Sequence, residues 1–246
     1  MIMEGKKTKI KLCGLTRFCD IEVVNDLRPE YIGFVFAPKS RRFVSPEQAA
    51  ALKQALSPEI LAVGVFVDGQ MEQIAALLSA GIIDIAQLHG GEDEAYIGRL
   101  RACTDKPIIK AFRVDSEADL YRAQESTADY VLLDSGSGGT GTAFDRELLT
   151  KIDRPYFLAG GLTVSSVAEA VERWRPYAVD VSSGIETDGK KDPEKMRRFV
   201  GCVRSTSKDV PPLDGTPRST KSHTGECLES DILRTEKIKY RKGEKI

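Results

Sequence analysis

The sequence predicts an α/β fold, a single (β/α)8 TIM barrel followed by a disordered C-terminal tail. Three observations carry this: eight short β-rich runs recur along the chain, helical stretches lie between them, and 246 residues suit one such barrel. The strand candidates are Lys9–Cys13, Tyr31–Phe36, Ala62–Val67, Asp84–Leu88, Pro107–Phe112, Tyr130–Leu133, Tyr156–Leu158 and Ala178–Val181. Helix candidates include Pro46–Leu56, Met71–Ala80, Asp93–Arg101, Glu117–Gln124 and Ser165–Arg173. Ser45-Pro46-Glu47 supplies an N-cap and a first-turn proline, and Asp192-Pro193 repeats that device before Glu194–Val203. Alternating β and α units imply a parallel sheet with helical crossovers, and eight of them favour closure. The alternative is an open doubly wound sheet, whose usual mark is a phosphate loop after the first strand. The first strand here runs instead into Cys13-Gly14-Leu15-Thr16.

The barrel is expected over residues 1–205 and the tail over 206–246. Residues 207–246 hold nine apolar residues and sixteen charged ones in forty. Such a segment cannot bury enough surface to offset the entropy of ordering it.

Composition excludes several classes of function. The formal net charge is −1, from 36 basic and 37 acidic residues, so nothing draws the chain toward nucleic acid or an anionic membrane. No secretory pattern precedes Lys9, and the apolar runs are far too short to span a bilayer. The five cysteines are odd in number and contain no C-x-x-C pair, which disfavours a disulfide framework or a zinc site. With only His89 and His223, no metal site is expected. These features fit a cytoplasmic protein with reduced thiols.

Three glycine clusters follow the last three strand candidates. They are Gly136–Gly141, Gly160-Gly161 and Ser182-Ser183-Gly184. Glycine lets the backbone approach a ligand and turn N–H groups toward an anion, and barrels commonly bind phosphate after strands seven and eight. Gly139, Gly141, Gly160, Gly161, Ser182, Ser183 and Gly184 are the resulting phosphate candidates, aided by a helix starting near Ser165. Tight strand-to-helix turns alone would also use glycine. Gly136–Gly141 matches G-x-G-x-x-G by letter, but it lies late in the chain and no acid-tipped strand follows at the required distance.

Strand C-termini converge on the active-site face of a barrel. Cys13 closes the first strand and Asp134 the sixth, so the pair offers a base and an acid. Lys11 lies two residues before Cys13, on the same side of its strand, and is expected to favour the thiolate. A small buried cysteine and a capping aspartate are the ordinary alternatives. Asp68 competes for the acid role, and His89 is either a structural hydrogen-bonder or a catalytic group. In Lys39-Ser40-Arg41-Arg42, a solvated loop competes with an arginine that grips a carboxylate at two points.

The segments Lys9–Arg17, Gly33–Pro46, Val63–Val67 and Gln87–Gly90 resemble those of the phosphoribosylanthranilate isomerase family. So do Leu132–Asp134, Gly138–Asp145, Leu158–Leu162 and Val179–Glu186, in order, across about residues 8–203. The tail has no counterpart in that family. The resemblance implies an Amadori rearrangement of N-(5′-phosphoribosyl)anthranilate to 1-(2-carboxyphenylamino)-1-deoxyribulose 5-phosphate, in tryptophan biosynthesis. It implies that Cys13 is the base, that Asp134 is the acid and that Arg42 binds the substrate carboxylate. It further implies that Gln87, His89 and Asp180 lie against the substrate, with the phosphate on the glycine loops. The implied partner is a small phosphorylated sugar substrate, with no metal or organic cofactor, in a monomer or homodimer. A ribulose-phosphate epimerase would need metal-binding histidines on several strands, and an indole-glycerol-phosphate synthase a lysine with paired glutamates. A phosphate-binding module without chemistry would not need both Cys13 and Asp134.

Overall fold

A computed structural model of the chain describes residues 7–134, 149 and 151–206. Eight parallel strands close into a barrel: β1 (Lys9–Cys13), β2 (Tyr31–Val35), β3 (Leu61–Phe66), β4 (Ile85–Leu88), β5 (Ile108–Arg113), β6 (Tyr130–Asp134), β7 (Tyr156–Ala159) and β8 (Ala178–Val181). Closure is direct, since β1 pairs with β2 on one side and with β8 on the other, so the open-sheet alternative falls. Every predicted strand is present, with bounds shifted by at most one residue.

The helices are α1 (Phe18–Leu27), α2 (Pro46–Ala55), α3 (Met71–Ser79), α4 (Glu94–Arg101), α5 (Glu117–Glu125), α6 (Val167–Trp174) and α7 (Pro193–Thr206). Both predicted caps act as expected. Ser45 Oγ accepts from the Gln48 N–H at 3.2 Å, and Asp192 Oδ1 accepts from the N–H groups of Glu194 and Lys195. Two elements depart from expectation. Helix α1 is absent from the sequence reading because Arg17 is no standard cap; Asp20 in the first turn instead accepts the N–H groups of Thr16 and Arg17. Helix α7 ends on the buried Thr206, one residue into the predicted tail. The rest of that tail lies outside the described residues, and so do Gly139 and Gly141.

Strand alternation sorts the side chains. On β1, Ile10 and Leu12 pack outward into the layer beneath the helices, where they join residues such as Phe34, Phe66 and Phe199. Each fully buried Leu or Phe there contributes roughly 1.5–3 kcal/mol. The inward set includes Val63, Ile109, Leu132 and Phe157, which fill the barrel centre. Toward the N-terminal end, Tyr31, Tyr130 and Tyr177 ring Phe157, and Lys9 Nζ donates to Tyr177 Oη at 2.7 Å. The C-terminal end is left for Lys11, Cys13, Gln87 and Asp180. Among the described residues, no helix is long and apolar enough to cross a membrane.

Candidate active site

A cavity of about 420 Å³ opens at the C-terminal end of the strands. Cys13, Arg42, Gln87, His89, Asp134 and Asp180 line it, together with Gly160, Gly161, Ser182 and Ser183. Ten of the residues singled out from sequence thus share one space, although they come from six different strands or the loops that follow them.

The floor is polar and buried. Lys11 and Asp180 are direct neighbours across the β1–β8 ladder, and Lys11 Nζ donates to Asp180 Oδ2 at 2.9 Å. Burial alone would drive the Lys11 ammonium toward neutrality, but the Asp180 carboxylate and the Cys13 sulfur together outweigh it and the lysine pKa lies above its ordinary value. Asp180 Oδ1 and Gln87 Oε1 are both buried and have no partner among the described residues. Each is an acceptor at the cavity floor, which suits ligand hydroxyl groups.

Cys13 sits above this pair. Its register neighbour on β2 is Gly33, where a Cβ would come within 2.6 Å of the Cys13 sulfur. A residue without a side chain is therefore what admits the thiol. The expected lowering of the Cys13 pKa is not found. Burial pushes the thiol up; Lys11 opposes this, Asp180 reinforces it and Lys191 opposes it, with a net rise. A lysine beside the thiol is legible in the sequence; the burial, and the carboxylate that shares the lysine's charge, are not.

Opposite Cys13, a polar row crosses from β4 to β6. Gln87 Nε2 meets His89 Nδ1 at 2.9 Å, and His89 Nε2 lies 3.5 Å from Asp134 Oδ2. With the Gln87 amide donating, the imidazole carries its proton on Nε2, facing Asp134. Asp68, the rival acid, does not line the cavity. Its Oδ1 accepts from the Gly91 N–H at 2.7 Å, which ties it to the loop after β4.

The loops after β7 and β8 form a third wall. Gly160 and Gly161 both have positive φ, 91° and 62°. After β8, Ser182 and Ser183 line the cavity where a short 3-10 helix, Ser183–Ile185, begins. Helix α6 begins only at Val167 and contributes no residue to the lining, so the helix end at this wall is the short one. Gly184 is not in the lining either. Its Cα abuts the Leu162 carbonyl, 1.9 Å from where a Cβ would stand, which clamps the two loops together.

Apolar side chains fill the remaining side. Val35, Ala37, Val65 and Val67 flank Cys13 and lead out to Arg42. Gly14, with φ of 80°, lets the Arg42 side chain pass, since a Cβ would lie 2.4 Å from Arg42 Cδ. The guanidinium is held by Glu186, to which Nε donates at 2.6 Å and Nη2 at 2.9 Å. Glu186 begins a two-stranded hairpin, β9 (Glu186–Thr187) and β10 (Lys190–Lys191), that the sequence reading missed. Its signal was present as Asp188-Gly189, whose φ values of 50° and 76° make a turn of the type that favours hairpins. From the same hairpin, Lys191 Nζ donates to Glu186 Oε1 at 2.7 Å and to the Ser182 carbonyl at 2.8 Å.

This geometry can hold an anionic group on the Gly160–Ser183 wall and a carboxylated apolar group between Val65 and Arg42. A thiol and a carboxyl face the space between them. The sequence model of the family described as N-(5′-phosphoribosyl)anthranilate (PRA) isomerase matches residues 10–201. The N-(5′-phosphoribosyl)anthranilate isomerase of Endomicrobium trichonymphae is 45% identical over 201 residues, covering 80% of this chain and 98% of that protein. That of Lachnoclostridium phytofermentans is 42% identical over 209 residues, covering 78% and 95%. Among solved structures, the phosphoribosyl anthranilate isomerase of Thermotoga maritima superposes with a TM-score of 0.73 at 35% identity, covering 80% of this chain and 99% of that one. Another phosphoribosyl anthranilate isomerase, solved in complex with reduced 1-(o-carboxyphenylamino)-1-deoxyribulose 5-phosphate, gives 0.71 at 34% identity, with coverage of 80% and 99%.

Proposed function

The chain belongs to the N-(5′-phosphoribosyl)anthranilate isomerase family, and from that premise we propose how its residues divide the reaction. The reaction is the isomerisation of N-(5′-phosphoribosyl)anthranilate to 1-(2-carboxyphenylamino)-1-deoxyribulose 5-phosphate, a step of tryptophan biosynthesis. The observation that carries the assignment is that Cys13 and Asp134, from nearly opposite sides of the ring, line one cavity between an anion wall and Arg42.

The substrate phosphate rests on Gly160, Gly161, Ser182 and Ser183. The ring carboxylate meets Arg42, and the aromatic ring lies on Val35, Val65 and Val67. The ribose then spans the floor, where the orphaned oxygens of Asp180 and Gln87 accept from its hydroxyls. Asp134 delivers a proton to the ribose ring oxygen; the C1′–O bond breaks and leaves a protonated Schiff base. His89, held by Gln87, orients the Asp134 carboxyl. Cys13 then takes the proton from C2′ and gives an enolamine, which tautomerises to the ketose. Cys13 acts as its thiolate, having lost its proton to solvent at the cavity mouth; burial and Asp180 disfavour that form, and Lys11 and Lys191 favour it. The cation created by ring opening lies beside it and favours the thiolate at the moment a base is needed.

The test generates the unstable substrate in situ from anthranilate and phosphoribosyl pyrophosphate and follows the decay of anthranilate-type fluorescence. Turnover is expected, with Cys13→Ser and Asp134→Asn each lowering kcat by at least about a hundredfold. A folded variant that keeps a near-native rate removes that residue from its role.

A further inference from the structure

The Glu186 carboxylate carries more cations than its own charge needs. Oε1 accepts from Arg42 Nε at 2.6 Å and from Lys191 Nζ at 2.7 Å. Oε2 accepts from Arg42 Nη2 at 2.9 Å and from Arg41 Nη2 at 2.7 Å. The cluster has three positive groups and one negative one, so a net positive charge faces the mouth. The side chain is 5% exposed, whereas that of Arg41 is 60% exposed and acts only from outside.

A guanidinium has two usable donor forks. Glu186 takes the Nε–Nη2 fork of Arg42, and Nη1 has no partner among the described residues. The Nη1–Nη2 edge is thus the one left for a second carboxylate. Without the first grip, a long flexible side chain would sample several rotamers and lose the alignment that a two-point contact requires. Through Lys191, the same carboxylate is joined to the Ser182 carbonyl, in the loop assigned to phosphate. Glu186 therefore links the two anion-binding ends of the cavity.

We propose that Glu186 is a positioning residue: it fixes Arg42 so that its free fork meets the ring carboxylate, and it sets the spacing of that fork from the phosphate loop. This rests on Arg42 being the carboxylate site, as argued above. Glu186 itself touches no reacting atom.

The test uses the intact protein and two stable probes. One is the reduced product analogue, 1-(o-carboxyphenylamino)-1-deoxyribulose 5-phosphate after reduction; the other is the same molecule without its ring carboxylate. Calorimetry gives the ratio of their dissociation constants in wild type, Glu186→Gln, Glu186→Asp and Arg42→Met. Glu186→Asp keeps the charge but is one methylene too short to hold the fork, and it stands in if the Gln variant does not fold. The expected result is roughly tenfold weaker binding of the carboxylated probe in either Glu186 variant, with little change for the other probe. Combining the Glu186 change with Arg42→Met should cost no more discrimination than Arg42→Met alone. Equal weakening of both probes, or undiminished discrimination, would overturn the proposal. If Arg42→Met also leaves discrimination intact, the failure lies in the carboxylate assignment; if it abolishes discrimination and the Glu186 variants do not, the failure is confined to the positioning role.

Discussion

Lys11 Nζ and Asp180 Oδ2 lie 2.9 Å apart beneath the cavity, on adjacent strands, with 0% and 8% of their side chains exposed. Breaking such a pair strands a buried charge. Lys11→Met should therefore destabilise the protein by roughly 3–5 kcal/mol in urea unfolding. Lys11→Met combined with Asp180→Leu removes both charges and should recover most of that loss while leaving the isomerase impaired. A single-variant cost below about 1 kcal/mol would mean that the pair is not sealed from water.

Burial and Asp180 hold the Cys13 thiol above the ordinary cysteine range, against Lys11 and Lys191. The alkylating species is the thiolate, so labelling of Cys13 by iodoacetamide should accelerate with rising pH through a midpoint above that of a free cysteine peptide. Site-resolved mass spectrometry isolates Cys13 from the other cysteines. Taking away the opposing lysine with Lys11→Met should raise the Cys13 midpoint further. A midpoint below that of the free cysteine peptide would show that the lysines outweigh the burial.

Much of this architecture was legible because its signals are local. Ser45-Pro46 and Asp192-Pro193 fix helix starts by backbone chemistry alone, and eight apolar runs mark eight strands. Placing Cys13 and Asp134 at strand ends was enough to bring them to one cavity once the ring closed. Helix α1 and the β9–β10 hairpin escaped although their causes are local, at Asp20 and at Asp188-Gly189; the rest of what escaped depends on pairs distant in sequence. Glu186 meets Arg42 across 144 positions, and Asp180 meets Lys11 across 169. The pKa direction of Cys13 failed for that reason, because burial and the second carboxylate exist only after folding.

Gly33 belongs to the same class of hidden requirement. A methyl group there would stand 2.6 Å from Cys13 Sγ and 3.1 Å from Cys13 Cα, so the thiol or its strand must shift. Proton abstraction is sensitive to displacements of this size. Gly33→Ala should lower kcat by at least about tenfold, with overpacking costing about 1–3 kcal/mol of stability. Wild-type kcat in a folded Gly33→Ala protein would show that Cys13 tolerates displacement and is not the base.

Glu186 gives the barrel an acid-sensitive joint. Burial alone would raise its pKa, but the hydrogen bonds and charges of Arg42 and Lys191 lower it from 4.5 to about 2. In the unfolded chain the carboxyl reverts to its ordinary value and binds protons first, so stability rises with pH across that interval. The contribution is complete above the unfolded value and is lost as pH falls through the folded one. Solvent screening reduces the full linkage value, leaving a contribution on the order of 1–2 kcal/mol. In urea titrations from pH 6 to pH 2, wild type should exceed Glu186→Gln in stability most at pH 6, and the gap should close toward pH 2. A gap that stays constant over this range would mean that the Glu186 charge is not what joins Arg42 and Lys191.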